Sequence, residues 1–70
     1  MKSNWYEHDF SEIVKIPIQA VVGRSKATLT KYLISLLKTT RHVESAYYYL
    51  DGVEGDNVCF DVHYISMVCR

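Results

Sequence analysis

Cys59, Asp61 and His63 stand at alternate positions in the run CFDVH. Thiolate, carboxylate and imidazole are the groups from which zinc sites and nucleophile–base pairs are built. On a strand, alternate residues share one face, with Cα atoms about 6.6–7 Å apart. Such a strand can present two ligands to a zinc ion, whereas a site takes three or four. His8 and Cys69 are the other soft candidates, and nothing in the sequence brings them close. Cys59 and His63 are four residues apart, about 13 Å along a strand, while a nucleophile–base hydrogen bond spans about 2.6–3.2 Å. Asp51, Glu54 and Asp56 sit among glycines, where carboxylates form turns rather than acid–base pairs. The expectation is a chain with no metal, no cofactor and no catalytic residues, that is, not an enzyme.

Two other sets of side chains could bind rather than react. Gly23-Arg24-Ser25-Lys26-Ala27-Thr28 leads into a helix, whose free N–H donors and positive dipole end suit an anion. It lacks the second glycine and the Gly-Lys-Ser/Thr order of a phosphate-binding loop. With Lys31, Lys38 and Arg41 on the same helix, Arg24 and Lys26 make a candidate contact for a phosphate or nucleic acid. Opposing this, the exposed aromatics fall among acidic residues, whereas single-strand-binding sheets hold stacking residues and cations in one groove. The second helix and aromatic-basic signature of an RNA-recognition sheet are also missing. The other set is Tyr47, Tyr49, Asp51, Asp61, Ile65 and Met67. Tyr and Met are favoured at protein interfaces, and large exposed apolar patches are unusual on monomers.

The placement of these sets follows from hydrophobic periodicity. Leu29, Tyr32, Leu33, Leu36, Leu37 and Thr40 recur at spacings of three and four, which predicts a helix over Lys26 to His42 with Ser25 as its N-cap. Ile13 to Val22 is β-branched and reads as a strand, with Ile16, Ile18, Ala20 and Val22 on one face. Pro17 confines it to an edge or a bulge. Glu44 to Leu50 and Asn57 to Val68 read as two more strands joined through Asp51–Asp56, whose two glycines and acidic residues are hairpin chemistry. Trp5 to Phe10 reads either as a strand hairpinned through Ser11-Glu12 onto Ile13–Val22, or as a helical turn started by Ser3. The strand reading is preferred.

The fold class is then α+β, a small antiparallel-rich sheet in the order β-β-α-β-β with one helix packed on one face. Ile16, Ile18, Ala20, Ala46, Tyr48, Leu50, Val58, Phe60, Val62, Tyr64 and Val68 make the helix-covered face. Tyr47, Tyr49, Asp51, Cys59, Asp61, His63, Ile65 and Met67 lie on the other, joined by Trp5, Glu7 and Asp9 if the first strand forms.

Composition bounds the rest. Seventy residues allow one domain, spanning 1–70, and 49% hydrophobic content argues against disorder. Eight basic against eight acidic residues leave no bulk charge to drive binding to nucleic acid or an anionic membrane. The charge is nevertheless divided: five basic and no acidic residues from Arg24 to Arg41, five acidic and no basic residues from Glu44 to Asp61. No apolar run approaches the roughly 20 residues of a membrane span, and Glu7, Asp9 and Glu12 interrupt any leader-like stretch. Cys59 and Cys69 in one strand would be about 33 Å apart, far beyond disulfide reach, so two reduced thiols in a cytoplasmic, reducing compartment are expected. The function expected is a non-enzymatic protein–protein interaction module, a small regulator or inhibitor of a larger protein. The alternatives are a nucleic-acid-binding protein using the basic helix face and a homodimerising structural subunit.

Overall fold

A computed structural model describes residues 4–69. The chain is an α+β fold in the order β1 (Trp5–Pro17), α1 (Ile18–Val21), α2 (Lys26–Ser35), β2 (Ser45–Glu54) and β3 (Asn57–Cys69). The three strands form one antiparallel sheet in the order β1-β3-β2, with α2 packed on one face. β3 takes the centre because it carries the densest apolar run: Val58, Phe60, Val62 and Tyr64 are all buried.

The two N-terminal strands expected from sequence are a single strand. β1 pairs with β3 without interruption from Trp5↔Cys69 to Pro17↔Asn57. Ser11-Glu12 supplies neither glycine nor proline, and neither residue takes the positive φ that the tight two-residue hairpin turns require. The alternative helical turn is likewise excluded over Trp5–Phe10, although Ser3, its proposed start, lies outside the described residues. Beyond Pro17 the expected strand becomes the short helix α1, tied to the hairpin by the Ile18 N–H bond to the Asp56 carbonyl at 2.9 Å. This rotates Ala20 and Val21 onto the core and leaves Ile18 and Val22 exposed, which corrects the alternating assignment made for Ile16 to Val22.

Helix α2 begins where expected: the Ser25 hydroxyl accepts from the Thr28 N–H at 3.2 Å. It ends at Ser35, seven residues before His42. Leu36 and Leu37 N–H groups bond three residues back, to Leu33 and Ile34 carbonyls, a tightening typical of a closing helix. The chain is then drawn onto the sheet. The Lys38 N–H donates to the Glu12 carboxylate, 3.0 Å to Oε2, Arg41 lies over the Phe10 ring at 5.0 Å, and Ser66 donates to the His42 carbonyl at 2.7 Å. Glu12 and Ser66 share the helix-side face by register, so these bonds satisfy polar groups that a longer helix would have left against apolar neighbours.

The core is Val14, Ile16, Leu29, Leu33, Val58, Phe60 and Val62, flanked by Ala20, Val21, Tyr32, Leu37 and Tyr48. Leu36 and Leu50, both assigned to it from sequence, are 41% and 65% exposed. Leu36 lies past the helix end. Leu50 lies on an outer strand immediately before its β-bulge.

The connector expected over Asp51–Asp56 shrinks to a two-residue turn. Glu54 pairs with Asn57, and Gly55 takes φ 61° while Asp56 stays in the ordinary region. This is the requirement of a two-residue hairpin with glycine at its first central position. Asp51 is the extra residue of a β-bulge between Leu50 and Gly52.

Candidate functional site: the uncovered sheet face

Strand alternation carries the side chains opposite α2 to one surface. The register sets Tyr47 opposite His63, Tyr49 opposite Asp61 and Ser45 opposite Ile65. On the other side of β3 it sets Ser11 opposite His63, Ile13 opposite Asp61, Asp9 opposite Ile65 and Glu7 opposite Met67. Tyr47, Tyr49, Asp61, Ile65 and Met67 therefore share the face assigned to them, together with Trp5, Glu7 and Asp9. Asp51 does not belong to this alternation, because the bulge takes it out of register with β3.

His63 is the hub of the surface. The Tyr47 ring stacks on it at 5.1 Å with planes 4° apart. Tyr49 meets it edge-on at 5.7 Å, and the two tyrosines meet edge-on at 5.6 Å. Both geometries are those preferred by aromatic quadrupoles. His63 Nε2 lies 3.1 Å from Asp61 Oδ2, and Nδ1 lies 3.8 Å from Asp9 Oδ1. The Tyr47 hydroxyl crosses the central strand to donate to Asp9 Oδ2 at 3.3 Å. Desolvation raises the Tyr47 pKa above its ordinary 10.0, and the carboxylates of Asp9 and Asp61 and the Tyr49 hydroxyl raise it further. A phenol between two carboxylates is held neutral. At the far end, Lys15 reaches Glu54 at 3.2 Å. The positions on this face carry Glu7, Asp9, Asp61 and Glu54 against one lysine, so it is acidic among the described residues.

The arrangement is aromatic and negatively charged. Two grooves border the sheet away from this cluster, one lined by Pro17, Ile18, Gln19, Asp56 and Asn57, the other along the edge of β1 by Glu12 to Lys15 with Leu36 and Lys38. Among the described residues no three His, Cys, Asp or Glu side chains gather as metal ligands would. Cys59 is buried and Cys69 exposed, at opposite ends of β3 and unbridged.

The basic set is dispersed. Arg24 lies over the Tyr32 ring at 4.4 Å and donates to the Ala20 carbonyl, while Arg41 lies over Phe10. Lys26, Lys31 and Lys38 are exposed, but Lys38 and Arg41 fall beyond the end of α2. The helix itself thus carries only Lys26 and Lys31 of the expected basic face.

Sequence reasoning placed Asp9 and His63 on this face without joining them to Tyr47. Their contact depends on β1 and β2 flanking β3, an order that sequence proximity does not give. The available signal was that β3 is the most continuously apolar strand, the mark of a central position. No protein family, curated protein or solved structure matches this chain. No helix among the described residues is long and apolar enough to cross a membrane.

Proposed function

We propose that the protein is a non-enzymatic interaction module, a small regulator or inhibitor that occupies the surface of a larger protein through its uncovered sheet face. The observation that carries this reading is the Tyr47–His63–Tyr49 cluster framed by Asp9 and Asp61 on the sheet face opposite α2, which no other described element covers. Tyrosine supplies a large contact area with few rotatable bonds to freeze, and here the rings are already fixed by stacking, so little ordering remains to be done on docking. Tyr49, 60% exposed, is the natural anchor. Ile65 and Met67 extend the apolar area toward Trp5. The carboxylates around it favour a partner surface rich in Lys and Arg and disfavour a phosphate backbone.

The test is affinity capture followed by chemical-shift mapping of the captured partner on the labelled protein. The double variant Tyr49→Ser with Met67→Ser should keep the fold by circular dichroism and lose capture. The helix variant Lys31→Glu should retain it. Shifts confined to α2, or capture surviving the double variant, would refute the assignment.

A further inference from the structure

The sheet has two edges, and they are not alike. On β2 the bulge at Asp51 breaks the register, and bulges and charges are the usual means by which proteins blunt an edge. From Glu44 to Asp61 the chain has acidic residues and no basic one, so two copies of β2 set side by side would bring carboxylates together. β1 has no bulge, and its charges are of both signs. It runs thirteen residues in unbroken register with β3, its proline stands at the last position, and exposed Trp5 and Ile13 (57% and 56%) lie along it. Its outer edge also borders a groove of about 320 Å³ lined by four consecutive residues, Glu12, Ile13, Val14 and Lys15, with Leu36 and Lys38 as the far wall. A groove that touches both faces of a strand lies along the strand's edge, which is where an added strand would run.

We propose that the occupant of this edge is a second copy of the same chain, paired β1 to β1 in antiparallel fashion into one continuous six-stranded sheet. Charge order selects this occupant. Glu7 and Asp9 precede the midpoint of the strand at Ser11, Glu12 sits just past it, and Lys15 lies near the end with Lys38 beside it. An antiparallel two-fold brings the acidic start of each copy onto the Lys15 end of the other. The symmetry also fixes the faces: a two-fold that pairs β1 with itself sets odd residues against odd, so both helices lie on one side of the sheet. Among the registers this allows, centring on Glu12 would set that carboxylate against its own copy, and centring on Phe10 would set Lys15 against Trp5. Centring on Ser11 sets Glu7 against Lys15 of the second copy, and Lys15 against its Glu7, with no like charges opposed. That is the register of the dimer. It places two Tyr47–His63–Tyr49 surfaces on the same side of one sheet, a bivalent form of the acidic face.

The test is a charge swap read by sedimentation equilibrium. Glu7 and Lys15 are about 26 Å apart within one strand, so they cannot compensate each other inside one chain. The natural protein should sediment at twice its 8.1 kDa. Glu7→Lys and Lys15→Glu, each opposing like charges at two symmetric positions, should each weaken the dimer about tenfold. The double variant should restore it. Glu7→Lys tests the pairing even where loss of the Lys15–Glu54 pair disturbs folding, because Glu7 makes no ion pair among the described residues. A monomer at all concentrations, a dimer indifferent to both single changes, or a double variant no tighter than the singles would each overturn the proposal. So would a dimer abolished by Tyr49→Ser with Met67→Ser, since self-association would then use the face and not the edge. Partner capture by the face does not depend on this outcome.

Discussion

The sharpest energetic contrast in the molecule is between Leu33 and Leu36, three residues apart on what the sequence presents as one helical stripe. Leu33 is wholly buried among the side chains of both sheet and helix, and Leu36 is 41% exposed just past the helix end. Truncating a buried leucine removes its transfer free energy and leaves a cavity, together costing about 2–5 kcal/mol. At roughly 0.05–0.15 kcal/mol per residue, a 70-residue domain holds about 3.5–10 kcal/mol in all. Leu33→Ala therefore removes a large share of the stability, and Leu36→Ala should cost about 1 kcal/mol or less. In urea, with a slope of about 1 kcal/mol per molar for so small a chain, the Leu33→Ala midpoint should fall by about 2 M or more. Far-UV circular dichroism is the right probe, because Trp5 lies at the exposed end of the sheet and reports poorly on the core. Equal losses at the two positions would mean that the helix continues to His42 as the leucine spacing alone implies. A loss below about 0.5 kcal/mol at Leu33 would reject the packing of α2 on the sheet.

Two further outcomes follow from the open face and the central strand. Because the folded pKa of Tyr47 is raised above 10.0, the folded state binds that proton more tightly than the unfolded chain. The associated stability is complete below about pH 10 and is lost as pH rises through the folded value. The tyrosinate absorbance difference between the natural protein and Tyr47→Phe should accordingly develop above pH 10; a difference complete below that pH would contradict the carboxylate frame. A thiol reagent should label exposed Cys69 in the native state and buried Cys59 only on opening of the sheet, giving two well-separated phases. A single phase, or fewer than two thiols after denaturation, would contradict the run of β3 to Cys69.

Local physics made some of the fold legible in the residues themselves. The alternation of β3 and the first half of β2, the Ser25 cap, the Leu29–Leu33 face and the Gly55 turn each depend on neighbours a few residues away. Face membership was therefore readable too: a period of two sorts Tyr47, Tyr49, Asp61, Ile65 and Met67 onto one side whatever lies beside them. The sequence also separated charge, keeping five cations between Arg24 and Arg41 and five carboxylates between Glu44 and Asp61.

Contacts across long separations decided the rest. That Trp5–Pro17 is one strand follows from pairing with a strand at least forty residues later, a partner no local window contains. The early end of α2 depends on Glu12 accepting from Lys38 and on Arg41 covering Phe10; the leucine spacing alone favours continuing the helix, and the polar groups of the sheet override it. Asp51 left the site through a bulge that only the β2–β3 register reveals. His63 became the centre of the surface because β3 lies between Asp9 and Tyr47. Residue type supplies what each side chain can do, but which side chains meet is set by strand order, and strand order is a property of the whole buried sheet.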